Sequence, residues 1–220
     1  MDIASNILKL KSELPSGVKL VVVSKTKSVE EILEAYNTGH KLFGESKAQE
    51  LLAKKDALPS DIEWHFIGHL QTNKVKFLVP FVSMIHSVDS LKLLTAINTE
   101  AAKTGKVVNC LLQLYIAEEE TKYGFDMSDL ISLFESEALK NMSNIKICGL
   151  MGMASFTDDV NQVRKEFSHL KDCFDKLKAN YLSKDTCFKE LSIGMSGDYK
   201  IAIETGSTMI RVGSMLFGER

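Results

Sequence analysis

Lys25 closes the apolar run VKLVVVSK, and what a lysine can do there depends on how dry its amine is. The strand end is expected to desolvate it in part, which favours the neutral amine. A neutral amine can add to an aldehyde and lose water to give a Schiff base. The plainer reading is a surface lysine whose stem lies on the rim of the fold with its charge in water. Arg211 sits inside another apolar run, MIRV, where a buried guanidinium needs acceptors, from a carboxylate or from ligand atoms. Small and hydroxyl residues flank it: Gly194, Ser196, Gly197, Gly206, Ser207, Thr208, Gly213 and Ser214. Backbone N–H groups in such loops can cradle a phosphate. The alternative is that these glycines serve tight turns only. A Schiff-base lysine together with a phosphate cradle describes a pyridoxal phosphate site.

The elements that would position these residues alternate along the chain. Apolar runs rich in β-branched residues fall at 18–24, 41–43, 63–67, 84–87, 107–116, 145–151, 190–193 and 209–212. Stretches of helical period separate them, at about 29–37, 47–55, 72–78, 90–104, 128–139, 159–182 and 198–204, after an amphipathic start. Ser28 is placed to cap the first of these and Ser128 the fifth. In the sixth, Val163, Phe167, Leu170, Phe174 and Leu177 make one apolar stripe. Apolar runs without strict alternation suit parallel strands buried on both faces, and eight of them can close on themselves. The expected fold is therefore α/β, a (β/α)8 TIM barrel forming one domain over residues 1–220, with an open doubly wound sheet as the second choice. In a barrel the working face lies at the strands' C-terminal ends. That face would collect Lys25, Glu45 and Ser46, Gly68 and His69, Asp89, the 118–122 segment, Gly152 and Met153, Ser196, and Gly213 with Ser214.

Composition sets bounds. The 220 residues are 45% hydrophobic and 25% charged, enough apolar surface to offset chain entropy. Lys+Arg 27 against Asp+Glu 29 gives a net charge of −2, so no global basic excess recruits nucleic acid. No apolar run reaches the roughly 18 residues of a membrane span, and the amphipathic start is unlike a signal peptide. A cytoplasmic protein is expected. Cys110, Cys148, Cys173 and Cys187 lie far apart and read as inert thiols. His65 and His69 are four apart, but Gly68 between them and the lack of a third ligand argue against a metal. His86 reads as a core or rim residue, and Glu118 to Glu120 as a solvated loop.

The motifs VVVSKTKSVEEI, FGESKAQE, WHFIGHLQTNK, IHSVDS, CGLMGM and LSIGMSGDYKIAIETGSTMIRVGSMLFG, in this order over almost the whole chain, resemble the pyridoxal phosphate homeostasis protein family. That family is similar to the N-terminal barrel of alanine racemase. The resemblance implies that Lys25 holds pyridoxal 5′-phosphate as an internal aldimine. It implies phosphate contacts from Ser196, Gly213 and Ser214, and Arg211 facing the pyridine nitrogen. Met151 would line the ring, and Lys122 would stand near the cofactor mouth. Ser46 replaces an asparagine that the family usually places near the ring, and Tyr115 replaces another. The implied function is a non-catalytic, monomeric carrier and buffer of the cofactor, with apo-enzymes that use it as recipients and no nucleic acid or membrane partner. A racemase-type enzyme is the alternative. Against it stand a sequence that ends soon after the barrel and five tyrosines of which none matches the racemase base by motif. A barrel binding another phosphate ester without a Schiff base is a third reading.

Overall fold

The computed structural model describes residues 2–117 and 123–218. Lys122 and Glu118 to Glu120 lie outside the described residues. Eight parallel strands close into a barrel in chain order: β1 (Lys19–Val23), β2 (Leu42–Glu45), β3 (Glu63–Phe66), β4 (Met84–Val88), β5 (Val108–Gln113), β6 (Ile145–Met151), β7 (Glu190–Ser192) and β8 (Met209–Val212). Closure is made by β1 on β8, with Lys19, Leu20, Val21 and Val22 in register with Met209 to Val212. The open-sheet alternative is thereby excluded. Ten helices surround the barrel among the described residues: α1 (Ile3–Glu13), α2 (Val29–Tyr36), α3 (Ala48–Lys54), α4 (Val75–Leu78), α5 (Leu91–Lys103), α6 (Met127–Glu135), α7 (Glu137–Lys140), α8 (Val160–Tyr181), α9 (Tyr199–Glu204) and α10 (Ser214–Phe217).

Local chemistry explains these boundaries. Ser28 accepts the Glu31 N–H and Glu31 returns the bond to the Ser28 N–H, a reciprocal cap that fixes where α2 leaves β1. The predicted helix over 128–139 is two helices. Asp126, not Ser128, accepts the Asp129 N–H and caps α6, and extended backbone at Ser136 ends it. Asp126 wins because the N-cap must stand three residues before the N–H it binds. β2 runs to Glu45, two residues past its predicted end. Gly44 permits this, since a Cβ there would lie 2.8 Å from the Val21 side chain. β5 stops at Gln113, three residues early, because Leu114 bridges to Phe125 and Tyr115 N–H donates to its carbonyl.

The stripe on α8, Val163, Phe167, Leu170, Phe174 and Leu177, is buried as its spacing requires. Inside the barrel, Val21, Met84, Leu111, Cys148, Met151 and Met209 form one apolar cluster. A polar chain also crosses this interior, from His65 on β3 through His86 on β4 and Ser192 on β7 to Arg211 on β8. The four cysteines are free. Burial raises the Cys110 thiol and pushes Cys148 up to about 11, so both stay thiols at neutral pH. No helix among the described residues is long and apolar enough to cross a membrane.

Candidate functional site

The C-terminal ends of the strands open into one cavity of about 700 Å³. Its wall brings together Lys25 after β1, Ser46 after β2, Ser196 after β7, Arg211 on β8, and Gly213 and Ser214 after β8. These six were expected from the sequence to share a site. Met151 is not in the wall. It is buried in the interior apolar cluster, 1% exposed. Tyr115 likewise stands at the strand-end bridge to Phe125 and not in the wall.

Lys25 is exposed in the cavity mouth, so the desolvation expected of a strand-end lysine is absent. The chain leaves the sheet at Ser24, which is fully buried, and turns through Lys25 and Thr26 before α2 begins. The side chain lines the cavity mouth.

The opposite part of the wall is a set of donors. Backbone N–H groups of Ser196, Gly197 and Ser214 have no partner among the described residues, and Gly213 N–H reaches Ser196 Oγ at only 3.4 Å. The turn Ser192–Asp198 is held from behind, where Asp198 Oδ1 accepts the Met195 N–H at 2.5 Å. Gly213 is required by the close approach of β1, since a Cβ on it would stand 3.0 Å from the Val23 carbonyl. Unspent amides and hydroxyls converging on a concave wall suit an anion with several oxygens, such as a phosphate.

Arg211 is 4% exposed. Nη1 donates to Ser192 O at 2.7 Å and to Ser192 Oγ at 2.6 Å, and Nη2 donates to Gly152 O at 3.0 Å. Burial pushes the guanidinium down to about 10, partly offset by Asp198, so it keeps its proton at neutral pH. Burial in turn raises the Asp198 carboxyl, against the Met195 N–H and Arg211, which lower it.

Several wall residues were not singled out as ligand-binding from the sequence. His69 Nδ1 faces Asp89 Oδ2 at 3.1 Å, and its ring packs on Tyr123 with centroids 4.3 Å apart. Gln113, Lys27, Met153 and Asp198 also line the cavity. The strand-end rule had pointed to His69, and the SIGMSGD turn ran into Asp198. The same rule reaches Met153 after the sixth run, whereas Tyr123 carried no such signal. His65 and His69, four apart in sequence, point to different places: His65 bonds His86 in the barrel interior and His69 lines the cavity.

Fold and site together define a closed parallel β/α barrel whose ligand-binding face joins an accessible lysine to an anion cradle. The alanine racemase N-terminal domain model matches residues 2–220. A protein from Aquifex aeolicus named pyridoxal phosphate homeostasis protein is 42% identical over 203 residues, 92% of this chain and 87% of that one. The PipY protein of Synechococcus elongatus superposes with a TM-score of 0.92 without PLP and 0.89 with PLP bound, at 34% identity over 98% of this chain and all of PipY. Alanine racemase from E. faecalis shares the fold at 15% identity and a TM-score of 0.75, and this chain spans only 58% of its length. The chain belongs to the alanine racemase N-terminal domain family and, within it, to the pyridoxal phosphate homeostasis proteins.

Proposed function

We propose that this protein binds pyridoxal 5′-phosphate reversibly and serves intracellular vitamin B6 homeostasis, holding the cofactor and delivering it to apo-enzymes without turning over a substrate. The observation that carries this is the single cavity shared by Lys25 and the donor cradle of Ser196, Gly213 and Ser214. PipY, whose structure is described with PLP bound, and the naming of relatives at 35–42% identity support it.

Each residue then has a task. Amides and hydroxyls of the cradle take the phosphate. Lys25, at the cavity mouth, would hold the aldehyde carbon through its amine, the carbonyl oxygen being released as water. Ser46 offers a hydroxyl just after β2, and Lys122 keeps the role that the family resemblance implies. Bound in this way, the cofactor supplies an electrophilic carbon and an electron-withdrawing ring. Arg211 limits the second property. Its guanidinium keeps its proton, so a pyridine nitrogen facing it stays unprotonated and withdraws electrons weakly. That favours a holder over a carbanion enzyme. The four free cysteines fit a reducing cytoplasm, and the protein acts as a monomer.

The test is reductive trapping. The purified protein mixed with pyridoxal 5′-phosphate should turn yellow, and borohydride followed by peptide mapping should place the adduct on Lys25. Lys25→Ala should lose the visible band. An adduct on another side chain, or none, would overturn the covalent reading. Exchange of the α-hydrogen of L-alanine in deuterated water at turnover rates would overturn the non-catalytic one.

A further inference from the structure

Lys25 makes no hydrogen bond of its own among the described residues, yet the backbone on both sides of it is tied down. On the N-terminal side, Ser24 Oγ donates to Glu45 Oε1 at 2.7 Å, and Ser24 O accepts from Lys54 Nζ at 3.1 Å. On the C-terminal side, the Thr26 N–H donates to Glu50 Oε1 in a short bond. Lys54 joins the two halves, reaching Glu50 Oε1 at 2.5 Å and Glu45 Oε1 at 3.2 Å. Its ammonium has three protons and here three acceptors, so none is spare. The side chain is only 11% exposed, and an ammonium so placed needs those partners.

The turn that this cluster holds is strained. Thr26 has φ +67°, alone among the described non-glycine residues in a positive φ. A β-branched residue is disfavoured there and persists only where its surroundings dictate it. The cluster comes from β2 and α3, the neighbouring β/α unit, and none of its three side chains lines the cavity. Burial raises Glu45, offset by Ser24 and Lys54. Burial also pulls Glu50 upward, but the bonds from Lys54 and the Thr26 N–H outweigh it and hold that carboxyl below its usual value. Glu50 is thus the carboxylate that answers the Lys54 charge, while Glu45 has one buried oxygen without a partner.

We propose that Glu45, Glu50 and Lys54 form a clamp that fixes the Lys25 turn in the conformation that captures the cofactor aldehyde. They are positioning residues, since none lines the cavity. The inference rests on the covalent reading of Lys25 given above, and deepens it.

The experiment compares two ligands in the wild type, Lys54→Met and Glu50→Gln. Pyridoxal 5′-phosphate has the aldehyde, and pyridoxine 5′-phosphate has a hydroxymethyl group in its place and cannot condense. Both variants should bind the aldehyde about tenfold or more weaker, because a small misplacement of a reacting group is costly. Their affinity for pyridoxine 5′-phosphate should stay at the wild-type level. Equal weakening of both ligands, or no change in either, would overturn the clamp. Glu50→Gln keeps the shape of the side chain and decides the matter where Lys54→Met does not fold. Borohydride trapping of the wild type is run beside it. Absence of a Lys25 adduct there refutes the covalent reading itself, whereas an adduct with unaltered variants refutes the clamp alone.

Discussion

Acidification should weaken this barrel from its interior, and one substitution should remove a calculable part of the effect. Arg211 donates to Ser192 Oγ at 2.6 Å, and the nearest acceptor for the Ser192 proton is His86 Nδ1, 3.1 Å away, which gives that proton a partner. His86 then carries its ring proton on Nε2 and gives it to His65 Nδ1 at 2.8 Å. Both imidazoles are neutral in this arrangement, and a further proton on either would set donor against donor. Burial pushes His65 from 6.5 down to about 3, with Lys19 adding to it. His86 lies well below its ordinary value through burial, then His65 and Arg211. The folded pKa is below the unfolded one, so the unfolded chain takes up protons first. Stability is full above about pH 6.5 and is lost as pH falls toward 3. For His65 alone, the drop from about pH 7.5 to about pH 4.5 costs about 3 kcal/mol, at about 1.4 kcal/mol per pH unit per proton. Glu45 and Asp198, both raised, act in the opposite sense, so the quantity to read is a difference. His65→Gln keeps an acceptor for His86 and cannot titrate. The assay is urea unfolding followed by Trp64, the single tryptophan, which is buried on β3 beside His65. The variant's stability should fall about 3 kcal/mol less than the wild type's over that range. Parallel curves would show that His65 is not held neutral and would refute the tautomer chain with it.

Two further outcomes follow from the same geometry. Arg211→Met removes the donors to Ser192 O, Ser192 Oγ and Gly152 O, and should cost about 1–3 kcal/mol in urea unfolding while shifting the visible band of bound cofactor. An unmoved band would remove Arg211 from the site. Gly149→Ala should lose more than about 4 kcal/mol or fail to fold, because φ is +155° and the new Cβ would stand 1.7 Å from the Glu190 carbonyl. A near-wild-type melting temperature would mean that β6 and β7 are not in this register.

All eight strands were legible because both faces of a barrel strand are buried, which writes them as unbroken apolar runs. Their ends were less legible. Gly44 and Glu45 read as loop residues because glycine and a charge usually end a strand. Here Gly44 is the close-packing residue against Val21, and Glu45, fully buried, is answered by Ser24 and Lys54 from other elements. The clamp on the Lys25 turn was invisible for the same reason, since its bonds join β1, β2 and α3 and no spacing within one element encodes them. Met151 owes its place in the interior cluster to a change of parity. Side chains alternate along a strand, so Cys148 and Met151, three apart, should face opposite ways. The register shifts between the pairs Cys110–Ile147 and Leu111–Gly149, and that slip returns both side chains to the interior. The mark such a bulge leaves on β6 is Gly149, whose φ of +155° no other residue adopts readily, and a lone glycine in an apolar run does not say which way the register slips.

The cradle and Lys25 stand near opposite ends of the sequence, and closure alone makes them neighbours. Ser196 follows β7, Gly213 and Ser214 follow β8, and Lys25 follows β1, so the three positions are consecutive around the ring only because β8 pairs with β1. In an open sheet the first and last of these strands need not touch, and an anion held by Gly213 would have no reason to lie near the lysine. The contact of Gly213 with Val23 shows how tightly the seam is drawn, with the place of a side chain taken by the carbonyl of the other strand. The lysine and the donor cradle therefore depend on the same four register pairs between β1 and β8, and whatever loosens that seam moves the two apart at once.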